Sequence, residues 1–368
     1  MDPRVTKLAH VLVHYSLETR PGQLVRISGP AIAAEPLIVE AYREILRAGA
    51  HPILRITLEG IDEVFLKEAT ETQLRFVPEL LRLETEQIDA SLGIWANYNT
   101  RALTNVPPDR QRIRREALRE VSQRFLERAA QGTLRWVGTQ YPTQADAQEA
   151  EMSLREYEEF VYGAGYLDRP DPVAEWRTIR ERQQRIADFL ATKRTLRVLA
   201  EDTDLTVGVA GRTWINAAGE HNFPDGEVFT GPEEDRTEGR IRFSFPAIYG
   251  GREVSGVRLV FERGRVVHAE ATKGQAFLEQ MLEVDEGARV LGEFAFGLNE
   301  QIQRFTRNIL FDEKIGGTIH VALGSSYPET GGKNQSGLHW DMICDLRQGG
   351  EVYADGELIY RDGRFLLR

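Results

Sequence analysis

The second half of the chain holds four polar outliers in apolar settings, of residue types that bind divalent cations or move protons. The segment LHWDMI, residues 338–343, is the clearest. On an extended strand, residues two apart share a face, so His339 and Asp341 project together while Leu338, Trp340 and Met342 pack behind them. An imidazole and a carboxylate on one rigid face form a two-ligand platform for a divalent cation. They are equally what a histidine oriented by a neighbouring aspartate looks like. The segment GTIHVALG, residues 317–324, places Ile319, Val321 and Leu323 on one face, with His320 between Thr318 and Ala322 on the other. Just upstream, Asp312 and Glu313 put two carboxylates before the Gly316-Gly317 turn. In ARVLGEFAF, residues 288–296, strict alternation predicts Glu293 on the face that carries Leu291 and Ala295. An ionised carboxylate there is costly unless an arginine or a metal compensates it. Finally, Glu227 follows a Pro-Asp-Gly turn at the entry to an apolar run.

Each of these residues, taken alone, has an ordinary structural explanation. Together they offer imidazoles and carboxylates and no thiolate. That set suits two adjacent hard or borderline divalent ions better than a structural zinc. Paired ions about 3.5–4 Å apart are a common device for activating water against an amide or a phosphoester.

Such a pocket needs elements to carry it. Residues 24–28 read as a short buried strand. Residues 34–48 read as an amphipathic helix with Leu37, Ile38, Ala41 and Ile45 on one face and Gly49 just past its end. Residues 52–58 supply the next strand, and strand–helix–strand at this spacing implies a parallel pairing. Gly29-Pro30 at the first turn is no phosphate loop, having neither a Gly-rich stretch nor a lysine. Helix is expected over 73–84, 112–129, 152–162 and 173–193, and strand over 88–95 and 134–139. After the Asp168–Pro172 break and the long polar helix, the texture changes to short alternating strands with Gly-rich turns. The expected fold is α/β in two domains: an N-terminal α/β domain with parallel strands, residues 1–190, and a β-rich C-terminal metal-binding domain, residues 191–368. The boundary is expected within 185–195.

Composition narrows the partners. The 368 residues exceed the length at which a single core stops growing. A net charge of -11 gives no basic field for nucleic acid. No apolar run approaches the ~20 residues that cross a bilayer. The single cysteine, Cys344, excludes a disulfide framework or a thiolate cluster. With no secretory signal evident, a cytoplasmic location is expected, with no nucleic-acid or membrane partner.

These stretches resemble the thermophilic aminopeptidase T family, which includes aminopeptidase S and leucyl-aminopeptidase-like members. The resemblance is carried by TDLTVGVAGRTW at 203–214, NFPDGEVFTGP at 222–232, DEGARVLGEFAFG at 285–297, LFDEKIGGTIHVALG at 310–324, SSYPETGGKN at 325–334 and LHWDM at 338–342. YSLETRPGQLVRISGP and MSLREYEEFVYGA extend it into the first half. The resemblance implies metal ligands at Glu227, Glu293, His320, His339 and Asp341. It implies a further active-site glutamate at Glu313, as ligand or general base, and a substrate-facing Tyr327. Two divalent ions (Zn, Co, Mn or Mg) would serve as cofactor. A metal-bridged water would hydrolyse the N-terminal peptide bond of short peptides, with Glu293 or Glu313 as proton shuttle. A homodimer whose N-terminal domains enclose the cavity is also implied. This sequence departs from the pattern in KIGGTI, slightly longer than expected between Glu313 and His320, which bears on Glu313 more than on His320. The alternatives are a related dinuclear amidohydrolase or dipeptidase, and a metal-binding homologue without catalysis. Glu293, Glu313 and Tyr327 count against the second, since a pure binding site needs no proton shuttle.

Overall fold

The structure is a computed structural model that describes residues 2–30 and 32–367. Its contacts divide the chain into two compact units: Met1–Val173 with Gly219–Pro224, and Ala174–Ala218 with Asp225–Arg368.

The first unit is built on a five-stranded parallel sheet in the order His51–Thr57, Leu24–Pro30, Ala90–Trp95, Arg135–Gln140, Asn222–Phe223. Parallel strands are joined by crossovers that cover both faces, so the central ones bury residues of either parity. Ala90, Ser91 and Leu92, consecutive on the central strand, are accordingly all buried. The helix Glu35–Arg47 packs Leu37, Ile38, Ala41 and Ile45 inward as its spacing requires, and Gly49 takes the left-handed conformation beyond its end.

Several expectations need correction here. The helix expected over 73–84 is two helices, Glu71–Arg75 and Glu79–Gln87, because Pro78 cannot continue the first. A short helix, Gln144–Glu149, capped by the Thr143 hydroxyl, was not foreseen. The units divide at Val173/Ala174 rather than near residue 190. The helix Pro172–Ala191 buries Ile186, Ala187 and Leu190 in the core of the second unit. The segment Gly219–Pro224 returns to the first unit as its fifth strand.

The second unit is β-rich and antiparallel, with an eight-stranded sheet and a five-stranded sheet. The five-stranded sheet runs His339–Asp345, Thr318–Gly324, Leu291–Gly297, Glu227–Thr230, Ile215–Ala217. One face supplies Phe294, Phe296, Ile319, Val321, Leu323, Trp340 and Met342 to a core shared with Leu196, Val198, Leu205 and Val352 of the larger sheet. Aliphatic and aromatic burial on that face makes the small sheet a rigid floor for whatever stands on the other.

Candidate metal centre

In an antiparallel pair, residues directly opposite share a face. The ladder places Glu293 opposite Ala322 and Ala322 opposite Asp341. His320 lies opposite Ala295 on one side and Ile343 on the other, His339 opposite Gly324, and Glu227 opposite Gly297. All five polar side chains therefore rise from the face opposite the hydrophobic core. Their facing neighbours are mostly Gly or Ala, which leaves room above the sheet. Leu338, Trp340 and Met342 lie buried behind His339 and Asp341, as alternation required.

One detail departs from strict alternation. Register shifts between Leu291 and Glu293, so Leu291 pairs with Leu323 and joins the core rather than sharing the Glu293 face. Gly292 is the extra residue of this bulge. A Cβ there would stand 2.1 Å from the Ser325 carbonyl oxygen. Bulges re-aim side chains, and this one directs Glu293 between the two histidines.

The side chains converge closely. His320 Nε2 is 3.4 Å from Glu227 Oε2 and 3.5 Å from Glu293 Oε1. His339 Nε2 is 3.4 Å from Glu293 Oε2 and 3.7 Å from Asp341 Oδ1. Glu293 thus offers one oxygen to each histidine. Three sets of donor atoms lie within 4.8 Å of one another: Glu227 with Glu293 and His320, Glu293 with His339 and Asp341, and Glu313 with His320 and Asp341. His339 is oriented from behind, its Nδ1 donating to the Ser325 carbonyl at 2.9 Å, which turns Nε2 toward the pocket.

Glu313 arrives on a loop rather than a strand. The short helix Ile309–Asp312 is capped by Asn308, and Asp312 is buried at its end. Asp312 accepts from the Thr306 amide and hydroxyl at 2.7 and 2.8 Å, so it braces the turn and leaves Glu313 to face the pocket. Tyr327 sits at the rim, its ring 5.3 Å from His339 and 5.2 Å from Phe229.

Two participants were missed from sequence. Lys314 is wholly buried and ion-paired to Glu313; its Nζ also lies 3.5 Å from Glu227 and 3.9 Å from Asp225. Asp225 is likewise buried, its carbonyl held by the Asn299 side chain at 2.7 Å. Asp225 reads as an ordinary turn residue in Pro-Asp-Gly. Lys314 had one available signal, a lysine beside Glu313 in a chain whose basic residues are mostly arginine.

Concentrated negative charge governs the titration of the site. Burial opposes a charge on His320, but hydrogen bonding to Glu293 and the charges of Glu227 and Glu293 outweigh it and push its pKa up to about 9. His339 is pushed up to about 10 against the same opposition by Glu293 and Asp341. Burial raises Asp341 to about 6 and carries Glu227 well above the carboxylate range despite Lys314. For Glu293, burial is overcome by its two imidazole partners, which hold it down at about 2.

The donor set fits divalent cations. Glu227 Oε2 and Asp341 Oδ1 are buried acceptors with no hydrogen-bond donor, and each points where oxygen and nitrogen ligands meet. Leaving such acceptors unmet costs about 1–3 kcal/mol each, which a cation would relieve.

Comparison with known proteins finds relatives over the whole chain. The family described as thermophilic metalloprotease (M29) matches residues 1–365. Aminopeptidase 2 of Geobacillus stearothermophilus is 29% identical over 99% of this chain and 98% of its own length. The solved structure of wild-type AmpT from Thermus thermophilus superposes with a TM-score of 0.88 at 26% identity, covering 99% of both chains. A 2,5-dihydroxypyridine dioxygenase from Pseudomonas putida KT2440 shares the fold at a TM-score of 0.58 and 14% identity, over 100% of this chain and 98% of its own. That likeness concerns the fold alone, since one fold can carry unrelated chemistries.

Proposed function

The chain belongs to the thermophilic metalloprotease (M29) family, and from that premise we propose that it removes single residues from the amino ends of short peptides using two divalent ions. It is a metal-dependent aminopeptidase. The ions would be held by Glu227, Glu293, Glu313, His320, His339 and Asp341, with Glu293 shared between them. The observation that carries this reading is the position of Glu293, with one carboxylate oxygen toward each of two imidazoles. Charge supports the second ion. Once ligation displaced the protons of Glu227 and the two imidazoles, the carboxylates of Asp225, Glu227, Glu293, Glu313 and Asp341, offset by Lys314, would carry four negative charges in one pocket. Two divalent cations balance that number, and the chemistry of N and O donors admits Zn, Co, Mn or Mg.

When bound, such ions supply Lewis acidity toward the scissile carbonyl and an ionised water near neutral pH. The remaining work belongs to the chain. Glu313, free of the sheet, is the proton shuttle: its carboxylate takes the proton of the attacking water and returns it to the leaving amine. Glu293 is less suited to that role because both its oxygens would be taken up in holding the ions. Lys314 fixes the Glu313 and Glu227 carboxylates relative to each other, acting as a positioning residue. Tyr327 offers a donor to the developing oxyanion. Its hydroxyl stays protonated because burial, reinforced by the surrounding carboxylates, raises its pKa.

We also read the protein as a cytoplasmic homodimer. Val39, Tyr42 and Leu46 are exposed on one face of the helix Glu35–Arg47, and Leu54 and Ile56 are exposed on the edge strand of the same unit. Apolar surface of that kind favours a partner copy. No helix among the described residues is long and apolar enough to cross a membrane.

The test of activity is hydrolysis of leucyl-p-nitroanilide against its N-acetylated form by the metal-loaded protein. Turnover of the free-amine substrate alone is expected. Comparable turnover of both would instead identify an amidohydrolase without amino-terminal selectivity.

A further inference from the structure

A second cluster of metal-ligand types lies in the first unit. The helix Pro3–Val11 continues into a single turn of π-helix, Leu12–Ser16, closed by the Leu17 amide donating to the Leu12 carbonyl at 3.0 Å. His10 and His14 stand four residues apart across this junction, a spacing that brings side chains together on one helix face. Their rings lie 4.5 Å apart, centroid to centroid. Glu44, on the helix Glu35–Arg47, points a buried carboxylate at both. Its Oε2 is 3.2 Å from His10 Nδ1 and 3.0 Å from His14 Nε2, while its Oε1 accepts from Arg47 at 2.6 Å.

We propose that His10, His14 and Glu44 form a separate binding site for a borderline divalent cation of the zinc type, with a solvent molecule as fourth ligand. Four ligands arranged tetrahedrally about zinc at ~2.0–2.1 Å stand about 3.3 Å from one another. The two separations from Glu44 match that edge, and all three donor atoms lie within 4.8 Å of one another. Two imidazoles with one carboxylate select zinc, nickel, cobalt or copper over magnesium and calcium, which prefer all-oxygen shells. His10 is 54% exposed at its side chain, giving the ion an entry path and its fourth position access to water. The π turn is a second sign. Such turns are rare and occur mostly at functional positions, and His14 lies within this one. An ion here would clasp the first helix to the helix Glu35–Arg47.

Elemental analysis of the full-length protein, dialysed against low free zinc, tests the site. The His10→Ala/His14→Ala double variant should hold one zinc fewer per chain than the unmodified protein, with leucyl-p-nitroanilide turnover within twofold. His339→Ala should keep this zinc while losing catalytic metal, so failure of the clasp and failure of the catalytic reading are told apart. If the double variant misfolds, Glu44→Gln, which preserves side-chain size, serves in its place. Zinc-edge anomalous diffraction should show a peak among the three side chains. Equal zinc content in unmodified and variant proteins, or no such peak at zinc saturation, overturns the proposal.

Discussion

At the scale of single residues, two glutamates of the pocket have different surroundings. Glu293 is fixed on a strand between two imidazoles, whereas Glu313 is delivered by a loop and held by one ammonium. A strand carboxylate so placed suits a shared ligand, and a loop carboxylate suits proton movement. Glu313→Gln keeps the size and an oxygen ligand but cannot accept a proton. It should lower kcat by about 10²–10⁴-fold, the usual contribution of a general base, with at least one ion retained by elemental analysis. Near-normal turnover in that variant would remove Glu313 from the shuttle role. His339 and Asp341 were legible in the sequence because strand alternation alone puts them on one face. Lys314 and Asp225 were not, because pairing among side chains brought together by folding leaves little trace in local pattern.

At the scale of elements, the five-stranded sheet is what turns dispersed residues into a pocket. Its register follows from apolar alternation in Ile319–Leu323 and Leu338–Met342, which is why the facing of His320, His339 and Asp341 could be read in advance. The bulge at Gly292 could not, since an extra residue breaks the period on which such a reading depends. Gly292→Ala tests its importance. The added methyl would meet the Ser325 carbonyl oxygen, so the strand must shift. Loss of about 1–3 kcal/mol of stability is expected from overpacking, measured by denaturant midpoint, together with reduced metal content as Glu293 is re-aimed. An unchanged midpoint and metal content would show that the bulge is dispensable. Elsewhere, long periodic helices were found where expected. The break at Pro78 and the short helix Gln144–Glu149 were missed because a single proline or hydroxyl cap decides them. The unit boundary moved because the amphipathic helix Pro172–Ala191 reveals its length in sequence but not which core receives it.

At the scale of the whole molecule, the cost of gathering so many acids in one pocket should be visible in stability. His320 and His339 bind their protons more tightly folded than unfolded, with pKa values raised to about 9 and 10. Their contribution is complete below the unfolded value of roughly 6.5 and is lost as pH rises through 9–10. Asp341, raised to about 6, acts in the same direction at lower pH, while Glu293, held at about 2, adds stability above the ordinary carboxylate range. In chelator, the melting temperature should therefore fall between pH 6.5 and 10. Saturating metal should abolish most of that slope, because ligation displaces the same protons. Calorimetry across this pH range checks both statements, and a metal-free melting temperature that rises with pH would refute them. The most direct measurement is anomalous diffraction from crystals loaded with zinc or manganese. Two peaks about 3.5–4 Å apart, one beside Glu227 and His320 and the other beside His339 and Asp341 with Glu293 reaching both, are predicted. A single peak, or ions bound away from these side chains, would contradict the dinuclear centre.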